Sequence, residues 1–212
     1  MVHGMTAELG LRERKKLRTR QHIAATARRL FAERGFDQVT VAEIAREADV
    51  AQATVFNYFP AKEDLFYSRL EAFEDELLGA IRDRPAGQSV LAAFAGFLLG
   101  QSGVLAMDAG SDREATERVR TISRVITESP ALLARERQVF DGYARSLATL
   151  IGDDVAAHTA ANALVGLHRA LIDHVRSRAL AGAPAPRIRK ELRAEAETAI
   201  AQLERGLGEL GA

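Results

Sequence analysis

Apolar residues recur along this chain at helical spacing, in stretches interrupted by Gly, Pro or Asp. Ile23, Ala24, Ala27, Leu30 and Phe31 form the first stripe, and Gly35 is placed to cap it. Thr40 followed by Glu43 is a capping box, so a second helix is expected to begin near Val41, with Val41, Ile44, Ala45 and Ala48 on one face. Asp49 ends that face, because Asp tolerates the left-handed backbone better than most residues, and the pattern restarts at Val50. A third helix should open near Gln52, making a helix-turn-helix. A fourth is predicted over residues 61–83, carrying Leu65, Phe66, Leu70, Phe73, Leu77 and Ile81 and stopped by Pro85. Five more are predicted over 88–99, 112–128, 130–151, 153–180 and 188–210, separated by breaks such as 100–110 and 182–186. The expected fold is therefore all-α, with about nine helices. It divides into a flexible arm (1–11), a three-helix helix-turn-helix domain (12–66) and a larger helical domain (67–212).

At about 100 degrees per residue, Val55 and Phe59 lie on one side of the third helix with Gln52 beside them, and all three should pack inward. Ala53 and Asn57 point nearly opposite, flanked by Thr54 and Phe56. Such a face suits a helix pressed into a DNA major groove, where a small side chain permits close approach and Asn or Gln bonds the edge of adenine. Gln52, Ala53, Thr54, Phe56 and Asn57 are thus candidate base readers, and Tyr58 and Lys62 candidate phosphate contacts. Thr40, at the head of the preceding helix, joins the DNA-binding candidates.

Composition modifies this picture in one place. The 212 residues are 47% hydrophobic and 27% charged, enough for a buried core in one or two domains, and formal net charge is zero. The charge is uneven. Residues 12–29 hold eight Arg or Lys against one Glu, which places a basic helix immediately before the helix-turn-helix and makes Arg18, Thr19 and Arg20 further phosphate candidates. Cysteine is absent, which excludes disulfides and thiolate metal sites and accords with a reducing cytoplasm. No apolar run approaches the roughly 20 residues of a membrane span. The start is polar and basic, unlike a signal peptide, and Met1 to Gly4 read as an appended scar before a start at Met5.

At Phe56-Asn57-Tyr58-Phe59 and Lys62-Glu63-Asp64-Leu65 the chain resembles the TetR family of bacterial transcriptional regulators, over roughly residues 18 to 66. Three positions depart from the family pattern. Asp49 stands where the turn often has Gly, Phe56 lacks the hydroxyl of a common Tyr, and Ala61 replaces a capping Ser, Thr or Asn, so the fourth helix should start less firmly. The resemblance implies a homodimeric regulator of a palindromic DNA operator, a repressor by family habit, released by a small amphipathic or apolar effector. An activator or a ligand-independent regulator is the alternative. Dimerisation is expected through the helices near 153–181 and 188–210, the first being rich in Ala and Leu with Gly166 inside it. If the resemblance extends to the central domain, an effector site is expected there, with Phe94, Phe97, Leu98, Met107, Ile122, Val125, Ile126, Phe140, Tyr143 and His168 as candidates. Residues 118–137 look loosely like the subgroup that senses acyl-CoA-like ligands, although Arg120 and Arg124 serve equally as a solvated face.

Other classes fare badly. His158, His168 and His174 would point about 280 and 240 degrees apart on one helix and share no face. There is no phosphate loop, GxSxG or HExxH, so no enzyme and no cofactor is expected. Arg169 and Asp173 read as an ordinary ion pair one helical turn apart. The basic amphipathic segment from Arg12 to Phe31 could in principle lie on an anionic membrane, but its apolar face is needed for the three-helix core.

Overall fold

The computed structural model of the protein describes residues 10–100 and 111–207. Among these are nine α-helices: α1 (Leu11–Arg34), α2 (Val41–Glu47), α3 (Gln52–Tyr58), α4 (Lys62–Arg82), α5 (Val90–Leu99), α6 (Asp112–Thr127), α7 (Pro130–Ile151), α8 (Val155–Leu180) and α9 (Ala185–Leu207). They fall into two compact units, Met1–Ser68 and Arg69–Ala212, so that α4 contributes its first turns to one and its remainder to the other. Most of the stretch read as a flexible arm lies outside the described residues, and Leu11 already belongs to α1.

In the first unit the core is Ile23, Ala27, Leu30 and Phe31 of α1 with Phe36, Val39, Ile44, Val55, Phe59 and Leu65. Gly35 ends α1 at φ 85°, a left-handed conformation that carries no steric cost for glycine. The α2 capping box is complete. The Glu43 amide donates to Thr40 Oγ1 at 3.2 Å, and the Thr40 amide donates to the Glu43 carboxylate at 2.8 Å. The Thr40 amide first, and then the Thr40 hydroxyl donating at 2.8 Å, hold the Glu43 carboxyl below the usual range, with Arg34 at 3.1 Å adding to the effect. Asp49 takes φ 51°, as its place in the turn requires. Ala61 offers no side-chain acceptor to the first turn of α4, and only the reciprocal half of a capping box forms: the Ala61 amide donates to the buried Asp64 carboxylate at 3.0 Å.

In the second unit α8 is the central element, packing against α7, α9, α6 and α5. Its core includes Leu77, Ile81, Phe94, Leu98, Leu147, Leu164 and Leu171. Helices α8 and α9 begin elsewhere than the sequence reading places them, while α6 begins at Asp112 as expected. A capping box of Ser111 and Glu114 starts α6. Asp153 sits at φ 57°, where it cannot serve as an N-cap, so Asp154 takes that role and accepts from the Ala157 amide at 2.7 Å. Helix α9 begins at Ala185, inside the Pro-rich break, because Pro186 in a first turn sacrifices no intrahelical bond. The Ala185 amide donates to Thr116 Oγ1 at 2.8 Å, tying α9 to α6. Asp173 pairs with Arg176 at 3.2 Å rather than with Arg169, and Arg176 also meets Glu136 of α7 at 2.6 Å in a largely buried bridge.

Helices α8 and α9 are further joined by Glu191, which accepts from Arg178 and Arg187 at 2.7 Å each; these bonds, Arg178 first, hold its carboxyl at about 2. A depressed carboxyl stabilises the fold above its ordinary value of 4.5 and loses that contribution as pH falls toward 2. Thermal unfolding midpoints measured across this window should therefore fall more steeply in the native protein than in Glu191→Gln, and parallel curves would exclude the clamp.

Candidate nucleic-acid interface and effector site

Helix α3 has only seven residues, and its packing decides what it exposes. Val55 and Phe59 are both 1% exposed, one turn apart, and pin one side of the helix to the core. Ala53 and Asn57 are exposed, Phe56 is 45% exposed, and Thr54 and Tyr58 are half-buried. Gln52, expected to pack inward, is exposed instead. It is the first residue of the helix, so no preceding turn covers it. The correction enlarges the outward face.

Two cations, Arg20 of α1 and Lys62 at the start of α4, rest on aromatic rings of the first unit. The Arg20 guanidinium of α1 lies 5.0 Å from the centre of the Phe59 ring. Lys62 Nζ lies 4.1 Å from the Phe36 ring and 5.8 Å from the Phe31 ring, and partial burial pushes its pKa down, against the opposing pull of Asp37, Glu63 and Glu43. Each cation is positioned by ring contact rather than left to roam. Arg12, Arg14, Lys15, Lys16 and Arg18 are exposed on the first turns of α1. Thr19 is half-buried and its hydroxyl donates to the Lys15 carbonyl at 3.0 Å, while Thr40 spends its hydroxyl on the α2 cap. Farther along α1, Arg29 is held by Glu33 and Glu47 and Arg28 donates to Ser68 Oγ, so the positive potential concentrates toward the N-terminal half.

In the second unit the structure divides the effector candidates. Phe94, Leu98, Phe140, Tyr143 and His168 are buried in the main core, with half-buried Phe97 packed against it. His168, 2% exposed, is the hub: the Phe73 ring lies at 4.9 Å and 31°, and Phe140 and Tyr143 stand edge-on at 5.5 and 6.1 Å. Phe73, read from the sequence only as part of the α4 seam, also packs edge-on against Phe97 at 5.2 Å. Burial pushes His168 down to about 4 and raises the Tyr143 hydroxyl above its ordinary value, the latter with help from the Glu74 charge. Neither Tyr143 Oη nor His168 Nδ1 has a hydrogen-bond partner among the described residues.

Ile122 and Ile126 lie elsewhere, in a groove of about 180 Å³ between α6 and α8 lined also by Val119, Ser123, Ile172, Val175 and Arg176. That volume falls below the roughly 300 to 1,000 Å³ of sites for drug-sized ligands. Ile122 is 46% exposed, Val125 is buried, and Met107 lies outside the described residues. Arg120 and Arg124 are exposed, with Arg120 near Glu117 at 3.8 Å, in keeping with a solvated face. No group of three His, Asp or Glu placed for a metal occurs among the described residues, nor is any helix there long and apolar enough to cross a membrane.

An all-helical chain with a capped helix-turn-helix that projects one face of its second helix has the architecture of a regulatory protein built on that motif. Residues 23–68 match the family model described as bacterial regulatory proteins of the tetR family. The HTH-type transcriptional regulator TcmR of Streptomyces glaucescens is 30% identical over 152 residues, covering 69% of this chain and 66% of that one. The putative mycofactocin biosynthesis transcriptional regulator MftR of Mycobacterium tuberculosis is 29% identical over 145 residues, 65% of this chain and 66% of that one. The chain thus matches just under two thirds of the length of these relatives. Two solved structures share the fold at 20% identity and TM-score 0.54: GusR of Salmonella enterica, over 92% of this chain and 97% of that one, and a putative TetR-family transcriptional regulator of Mesorhizobium loti, over 89% and 96%. The chain belongs to the TetR family.

His168 provides a test of the buried cluster. Its folded pKa lies below the ordinary 6.5, so the unfolded chain takes up a proton first, and the resulting stability is present above 6.5 and lost as pH falls toward 4. Against the native protein, His168→Phe should flatten the decline in unfolding midpoint between pH 6.5 and 4; an unchanged decline would show the imidazole to be solvated.

Proposed function

We propose that the protein is a homodimeric, ligand-responsive DNA-binding regulator that acts as a repressor, each subunit placing α3 in a major groove of a palindromic operator. The observation that carries this reading is the α3 face: Gln52, Ala53, Phe56 and Asn57 are exposed while Val55 and Phe59 anchor the opposite side. A major groove admits one helix, and a face of small and amide side chains permits contact with base edges. Arg18, Arg20, Tyr58 and Lys62 flank it as phosphate contacts, with Thr19, Thr40 and Thr54 as short polar neighbours. With the usual geometry of such dimers the two half-sites lie ~34 to 36 Å apart.

The dimer would form through α8 and α9. In support, Gly166 of α8 is exposed and nothing lies within 4 Å of where its Cβ would stand, and Thr159 and Ala170 are exposed on the same helix, leaving room for a close helix partner. Effector binding would occur in the second unit among Phe94, Phe97, Leu98, Phe140, Tyr143 and His168. Because α4 carries Lys62 in one unit and Phe73 in the other, it is the segment through which occupancy would reach the DNA contacts.

Titration of the protein against the DNA upstream of its own reading frame and a scrambled control, at two salt concentrations, should give binding specific to the upstream fragment that weakens steeply with salt. Equal affinity for both fragments would remove that operator from the reading. On an identified operator, Asn57→Ala should relax preference at one or two base pairs by ~1 to 3 kcal/mol each, whereas Lys62→Ala should weaken all sequences alike and make the salt dependence shallower. Equal losses on operator and random DNA for Asn57→Ala would show that Asn57 reads no base.

A further inference from the structure

The aromatic cluster around His168 holds two features that ordinary core packing leaves unexplained. Tyr143 is 3% exposed and His168 2% exposed, their ring centres are 6.1 Å apart, and Tyr143 Oη and His168 Nδ1 both lack a hydrogen-bond partner among the described residues. Buried polar atoms are almost always paired, so two orphans on adjacent rings are two bonding positions open to the polar group of a ligand that parts the rings around them. The surroundings define that ligand. Phe73, Phe97 and Phe140 supply flat apolar walls, two of them against His168 itself, and half-buried Phe73 and Phe97 form the more accessible side. Glu74 is close enough to oppose a negative charge at Tyr143, and Arg169, which lies over Phe140 at 5.7 Å, is itself exposed. The Glu74 charge disfavours an anionic ligand beside Tyr143.

We propose that the effector of this protein is an uncharged, flat aromatic molecule bearing a hydroxyl or carbonyl group, its rings packed among Phe73, Phe97 and Phe140 and its polar group bonded to Tyr143 Oη and His168 Nδ1. This rests on the regulator reading only in taking an effector to exist. It differs from an acyl-CoA-like ligand in both charge and shape. Neutral imidazole carries one donor and one acceptor nitrogen and the phenol is both donor and acceptor, so a hydroxyl or carbonyl satisfies the pair where a quaternary ammonium would not.

The test uses the full chain without DNA and reads binding by probe fluorescence and thermal midpoint. The probes are 2-naphthol, naphthalene, 2-naphthoate, a naphthyl trimethylammonium salt and 1-decanol. We expect 2-naphthol to bind about tenfold tighter than naphthalene, the ratio one well-made hydrogen bond supplies. It should also outrank the charged and aliphatic probes. In Tyr143→Phe the naphthol to naphthalene ratio should fall several-fold, the His168 bond remaining, while the free protein's midpoint stays level or rises because an unpaired buried hydroxyl has been removed. The ratio in the native protein is a readout that needs no variant. Equal binding of naphthol and naphthalene, a preference for naphthoate, the ammonium salt or decanol, or no binding by any probe at millimolar concentration would each overturn the proposal. Operator titrations run alongside separate the two readings. Specific DNA binding without any probe binding leaves the regulator standing and removes this effector class; naphthol binding as expected with unchanged operator affinity keeps the site and removes the switch.

Discussion

The burial of Val55 and Phe59 is the constraint on which the rest of the first unit turns. A seven-residue helix has too few hydrogen bonds to persist by itself, since nucleation fixes several residues for one bond. Its stability and its orientation must both come from packing. Two side chains one turn apart, each 1% exposed, fix the rotation of α3 about its own axis and thereby settle that Ala53, Phe56 and Asn57 face outward. Arg20 over the Phe59 ring and Lys62 over the Phe36 ring then place positive charge relative to that face through the same core that holds the helix. Anchoring, exposure and charge are one arrangement seen from three sides.

The second unit follows a different logic. Its helices are long and its core is continuous, and α8 supplies the axis on which α7, α9, α6 and α5 pack. Ion pairs sit at the seams rather than in the centre: Arg176 with Glu136 between α8 and α7, Arg178 with Glu191 between α8 and α9, and Arg189 with Asp112 between α9 and α6. Against this ordinary helical packing the His168 cluster stands out because, among the described residues, it leaves polar atoms of two adjacent rings unpaired against the apolar rings of Phe73 and Phe140. A core selected for stability alone would place Phe or Leu there.

Local signals made the first unit legible in the sequence. Thr40 and Glu43 announce the start of α2 by capping, Asp49 announces the turn by its tolerance of positive φ, and the spacing of Val55 and Phe59 announces the inward side of α3. Gln52 was misplaced because angular position says nothing about how far along a helix the neighbouring elements extend. The same limit explains the effector candidates. Periodicity shows which side of a helix is apolar but not which helix it meets, so Ile122 and Phe140 looked alike in sequence and lie in different places in space. Phe73 escaped notice for this reason, since its role depends on proximity to His168 almost a hundred residues away. Asp154 rather than Asp153 capping α8 shows a lesser gap, in which a neighbouring residue satisfies the same chemical need.

The claim at the centre of this account is that the outward face of α3 lies in the major groove, and methylation interference on the bound DNA tests it directly. Dimethyl sulfate modifies guanine N7 in the major groove and adenine N3 in the minor groove. The account predicts that methylated guanines exclude the protein in two symmetry-related blocks ~34 to 36 Å apart. Interference confined to adenine N3, or a single block without a symmetric mate, would contradict it.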